Sequence, residues 1–64
     1  MRQYQHYKGP YYTLLHEAEH TETGESMCVY YANKNPEKIW IRPKDMFFEK
    51  IRVNGETVSR FKKV

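Results

Sequence analysis

The residues of this sequence that most resemble catalytic machinery are His16-Glu17-Ala18-Glu19-His20, an H-E-x-x-H pattern. On a helix, positions i and i+4 share a face, so two imidazoles would hold one zinc ion while the glutamate activates the metal-bound water. Leu14, Leu15, Glu17, Ala18 and Glu19 are good helix formers, so composition permits that helix. Three considerations oppose it. The chemistry needs a third protein ligand and an open fourth position, and Glu22, Glu25 and His6 stand at no recognised spacing for one. It needs a substrate cleft walled by other elements, for which 64 residues leave little chain. On a strand, at roughly 3.3 Å per residue, His16 and His20 lie about 13 Å apart, too far to share a metal. The pattern is read as a coincidence in a His- and Glu-rich stretch. No catalytic residue, metal ligand or cofactor is assigned.

The elements that would position these residues are short. Turn signals fall at Lys8-Gly9-Pro10, Thr23-Gly24-Glu25, Asn33-Lys34-Asn35-Pro36 and Asn54-Gly55, a spacing that suits several short strands. Tyr11 to Leu15 is dense in β-formers, and Met27 to Ala32 is apolar on both faces, as a buried strand is. With the polar Thr21 to Glu25 between them, the two read as an antiparallel hairpin. In Lys38-Ile39-Trp40-Ile41-Arg42, alternation puts Ile39 and Ile41 on one face and Trp40 and Arg42 on the other. Pro43 stops that strand and is pre-set to open one helical turn through Phe47. Asn54-Gly55 is a type I′ turn signal. A two-residue loop there fixes a register of Val53 opposite Glu56, Ile51 opposite Val58 and Glu49 opposite Arg60, with Phe48 meeting Phe61 on the other face. The expected fold is mostly β: a small SH3-like barrel of about five strands, with one short helical turn before the last hairpin.

Length and composition bound the rest. The chain forms one domain, residues 1–64. A domain of this size buries only about 60% of the surface its unfolded chain exposes, and the lone cysteine, Cys28, excludes an internal disulfide. Six Tyr, three Phe and one Trp supply core material where aliphatic residues are scarce. Cys28, in an apolar run, is expected to behave as a small hydrophobe. No apolar run reaches the length of a membrane span and the N-terminus lacks a signal-peptide pattern, so a cytoplasmic protein is expected. The formal charge of +3 permits contact with nucleic acid without requiring it.

Tyr4-Gln5-His6-Tyr7-Lys8-Gly9, Tyr12, Ala18 to Thr23, Val29-Tyr30, Trp40-Ile41-Arg42-Pro43, Met46-Phe47 and Arg60-Phe61 together resemble domain-of-unknown-function family 1653, a family of short bacterial and phage-associated proteins. The resemblance spans nearly the whole chain. It implies a stand-alone domain with His20 in a polar loop and His16-Glu17 as departures peculiar to this chain, and it implies no activity.

The chemistry-bearing residues left are those of a binding surface. Trp40 and Arg42 share a strand face, and exposed Trp, Tyr and Arg are the residues that anchor ligands and stack on bases. The leading expectation is a non-enzymatic binding module with a face that includes Trp40, Arg42, Tyr7, His6 and His20. The ligand class is open between a protein, a single-stranded nucleic acid and a small molecule, with a slight tilt to nucleic acid from the basic charge. The alternatives are a metal-binding protein or hydrolase using His16-Glu17-x-x-His20, and an obligate homo-oligomer. Protein prepared without a histidine tag is expected to carry far less than one zinc per chain by metal analysis; stoichiometric zinc would reinstate the hydrolase motif.

Overall fold

Asn54 and Gly55 have φ of 52° and 83°, the left-handed values a type I′ turn demands and Asn and Gly tolerate. They join β5 (Lys50–Val53) to β6 (Glu56–Ser59) in the register read from the sequence, Val53 opposite Glu56 and Ile51 opposite Val58. Arg60 continues it: its N–H donates to the Glu49 carbonyl at 2.9 Å and its guanidinium meets the Glu49 carboxylate at 2.8 Å. The computed structural model describes residues 2–64. The remaining elements are β1 (Arg2–His6), β2 (Tyr11–Glu19), β3 (Ser26–Ala32), β4 (Asn35–Pro43), the single helical turn α1 (Lys44–Phe47) and β7 (Phe61–Lys63).

Five strands form one antiparallel sheet in the order β4-β3-β2-β1-β7, and β5-β6 pairs separately. The mostly β class and the helical turn ahead of the last hairpin are as the sequence indicates. The barrel is not: β4 and β7 remain the edges of an open sheet. Local alternation reports which strands exist but not whether the outer two meet.

One sheet face carries the core. Tyr4, Leu14, Cys28, Tyr30 and Phe61 are buried there, and Phe47 descends onto them from α1 with none of its surface exposed. Phe47 lies flat on Phe61, with centroids 4.2 Å apart and planes 4° from parallel. It meets Tyr4 and Tyr30 edge-on at 5.3 and 5.2 Å. Phe47 therefore takes the place against Phe61 expected for Phe48, which is 39% exposed and packs on Tyr4 and Phe47 instead. The helical turn rotates successive side chains by about 100°, so an alternation that holds for the hairpin fails one residue before it.

A bulge sits in β2. Leu14 pairs with Tyr30 but His16 pairs with Val29, so Leu15 is an extra residue. In β4, Trp40 and Arg42 pair with Tyr30 and Cys28 of the core face, while Ile39 and Ile41 pair with Tyr31 and Val29 on the other, as alternation requires. Ile39 and Ile41 are 49% and 61% exposed.

On that second face a closed ring of hydrogen bonds ties β1 and β2 to the turn after β3. Gln3 Nε2 donates to Thr13 Oγ1 (2.8 Å), Thr13 Oγ1 to Asn33 Oδ1 (2.6 Å), and Asn33 Nδ2 to Gln3 Oε1 (2.7 Å). Thr13 is 1% exposed, and each member satisfies the next. Thr13→Val keeps the shape and orphans two partners, so urea unfolding should show a loss of about 1–3 kcal/mol; Thr13→Ser, which keeps the hydroxyl, should lose less.

Candidate functional site

α1 covers only part of the core face. The part toward the other end of the strands stays open as a cleft of about 400 Å³, walled by the β4 side chains Lys38, Trp40 and Arg42 on one side and by His6 and Phe61 on the other, with Tyr12 and Tyr30 forming its floor. Ala32 and Asn35 complete the lining, and none of the described residues around it is acidic. Trp40 is 44% exposed, and the Lys38 ammonium lies 4.6 Å from its ring centroid. Arg42 spends its Nε–H on the Tyr30 hydroxyl at 3.2 Å and lies 5.8 Å from the Phe61 ring. Its two terminal nitrogens keep the planar fork that matches phosphate or carboxylate oxygens.

His6 is held by the turn that follows it. The Lys8 N–H donates to His6 Nδ1 (3.2 Å), the Gly9 N–H to the His6 carbonyl (2.8 Å), and the His6 N–H to the Pro10 carbonyl (2.8 Å). A ring nitrogen that accepts a hydrogen bond carries no proton, so the neutral imidazole keeps its proton on Nε2 as a donor. The ring stands 5.0 Å from Phe61 and 4.6 Å from Tyr7. Burial, then the Arg60, Lys8 and Arg42 charges, hold its pKa below the ordinary 6.5.

A family model described as a protein of unknown function (DUF1653) matches residues 2–63. The chain belongs to that family. No curated protein and no solved structure matches it.

Of the five candidate residues in this DUF1653 chain, the structure brings Trp40, Arg42 and His6 around one cleft. Tyr7 stacks behind His6 and lines a neighbouring cleft instead. His20 is apart from both. It follows the far end of β2, eight residues from Tyr12 and so roughly 25 Å along the strand. Its Nδ1 accepts from the Glu22 and Thr23 N–H groups (3.1 and 3.4 Å), its carbonyl accepts from Gly24 (2.8 Å), and Thr23 Oγ1 accepts from the Glu25 N–H (3.2 Å). The polar loop is thus a self-bonded turn in which Gly24 takes φ of 74°.

The H-E-x-x-H stretch is not helical, since His16 and Glu17 lie in β2. Glu17 is clamped by Lys44 (2.7 Å) and Arg2 (2.9 Å), in that order of effect, which keeps its carboxyl below the usual range. Among the described residues no group of three His, Cys, Asp or Glu is placed to hold a metal. Cys28 is fully buried, and burial, then the Glu17 charge, push its thiol up.

Lys38, Tyr12, Tyr30 and Phe61 line the cleft although none belongs to the expected binding face. Lys38 was visible in the two-residue period it shares with Trp40 and Arg42. The rings come from β2, β3 and β7 and meet only through strand order.

Because its folded pKa is lowered, His6 lets the unfolded chain take up a proton first. Its contribution is complete above pH 6.5 and is lost as pH falls through 6.5 toward the lower folded value. Thermal melts from neutral to mildly acid pH should therefore fall less steeply for His6→Gln than for the parent; equal slopes would show that His6 is not the group responsible.

Proposed function

We propose that this chain is a small binding module and that its ligand is single-stranded nucleic acid, entering the Trp40 cleft with a base on the indole and a phosphate at Arg42. The observation that carries this reading is the row Lys38, Trp40, Arg42 facing His6, Tyr12 and Phe61 with no carboxylate among the described lining residues. Such a surface repels no anion and offers rings for stacking, which is how single strands are held without sequence readout. Trp40 and Arg42 stand two residues apart on an extended strand, about 6.6 Å, a spacing that suits a base and its own phosphate. Rings and cations of this kind accept a duplex poorly, because its bases are already stacked.

The non-enzymatic part of the reading is supported by how the candidate acid–base groups are engaged. His6 and His20 each give Nδ1 to their own turn, and Glu17 is held between two cations. Among the described residues, none of the three is hydrogen-bonded to a serine, threonine or cysteine side chain.

Trp40 is the only tryptophan, so its fluorescence reports the cleft directly. Titration with a short oligothymidine is expected to quench it. Trp40→Ala should cost about 1–3 kcal/mol of binding. Arg42→Ala should reduce the slope of log affinity against log salt by about 0.7, the value for one neutralised phosphate on a single strand. Binding that ignores salt removes nucleic acid as the ligand, and quenching by a neutral aromatic peptide alone would transfer the cleft to a protein partner.

A further inference from the structure

A second cleft, of about 600 Å³, opens between the main sheet and the β5-β6 hairpin. It exists because the hairpin forms its own two-stranded ladder. Near the hairpin's base, Arg60 bonds Glu49 and its carbonyl accepts the Tyr7 N–H at 3.0 Å. The lining differs in kind from that of the Trp40 cleft. Asn54, Thr57 and Ser59 of the hairpin bring amide and hydroxyl groups, Lys62 of β7 a cation, and Tyr7 a ring that is 38% exposed. Glu56 is the one carboxylate among the described lining residues.

His6 lines both clefts. From Tyr7 the ring contacts run without a gap: Tyr7 to His6 at 4.6 Å, His6 to Phe61 at 5.0 Å, Phe61 to Tyr12 at 5.2 Å, with Trp40 across the cleft from them. Cations accompany the run: Lys8 stands 5.8 Å from the Tyr7 ring, Lys62 lines the second cleft, and Lys38 and Arg42 line the first. A row of rings flanked by cations is what a strand needs to lay down successive bases while its backbone follows the charge. Hydroxyl and amide donors suit the sugar and phosphate between two bases.

We propose that the hairpin cleft is a second nucleotide subsite, so that one strand lays successive nucleotides in both clefts and turns past His6 between them. This deepens, and rests on, the assignment of the Trp40 cleft to single-stranded nucleic acid. The Nε2–H of His6, left as the donor by the Lys8 bond at Nδ1, supplies a donor where the strand bends. The hairpin becomes a wall of the site, and its hydroxyls would contact only a ligand longer than one unit.

The test is a length series. 5′-Phosphorylated oligothymidines from one unit to six are titrated against the full chain at fixed salt, with Trp40 fluorescence and calorimetry as readouts. Affinity is expected to rise about tenfold or more from one unit to three, the value of one further stacked base, and then to level off. Tyr7→Ala should abolish that rise while leaving one-unit affinity within about twofold. Lys62→Ala, on an exposed side chain, should lower the salt slope for the three-unit ligand by about 0.7 and leave it unchanged for one unit. Equal affinity at all lengths, or a rise that survives both substitutions, overturns the second subsite and leaves the Trp40 cleft standing. Absence of binding at every length overturns the reading of the Trp40 cleft itself.

Discussion

The stacking of Phe47 on Phe61 is the contact on which the rest of the structure depends. Among the described residues, Phe47 is the only buried side chain that does not come from the five-stranded sheet. An open sheet of five short strands has one face to hide and little chain left to hide it with. A single helical turn supplies one ring, and that ring touches Tyr4, Tyr30 and Phe61 together. Burial of one large side chain contributes about 1.5–3 kcal/mol, a large share of what a domain of this size has to spare. The same economy explains the cleft. Phe47 reaches part of the face, and the rings beyond its reach, Tyr12 and Trp40 among them, keep one side in water.

Local features were legible in the sequence because their causes are local. Asn54-Gly55 sets its hairpin register through two left-handed residues, and the two-residue period of β4 assigned Trp40 and Arg42 to one face. Pro43 marked the entry to α1. What the sequence could not reveal depends on pairings between distant segments. β1 lies between β2 and β7, which brings His6 against Phe61, and no periodicity encodes that neighbour. The exchange of Phe48 for Phe47 has a smaller cause: a helical turn interrupts the strand period just ahead of the hairpin.

The candidate site was half legible for the same reasons. Trp40, Arg42 and His6 meet at one cleft, while Tyr7 belongs to the next and His20 to neither. The two histidines are in fact alike in a way composition cannot show. Each accepts a backbone N–H two residues ahead at Nδ1, and each accepts at its carbonyl the N–H of the glycine that closes the turn. One of these turns happens to border a ring-lined cleft and the other does not.

The extra residue at Leu15 has a consequence for how this chain tolerates change. Before it, even-numbered residues of β2 face the core; after it, odd-numbered ones do, which is why Leu14 and Glu17 share a side while His16 lies on the other. The strand thus carries two opposite phases of one alternation, joined at a single point. Losing Leu15 itself would merge the phases into one unbroken alternation and keep His16 opposite Val29 and Glu17 opposite Cys28, whereas losing a residue elsewhere in the strand would turn His16 toward the rings and Glu17 away from Lys44 and Arg2. Away from Leu15, single-residue insertions and deletions in β2 are therefore not equivalent to substitutions there: each one exchanges the inside and outside of a half-strand.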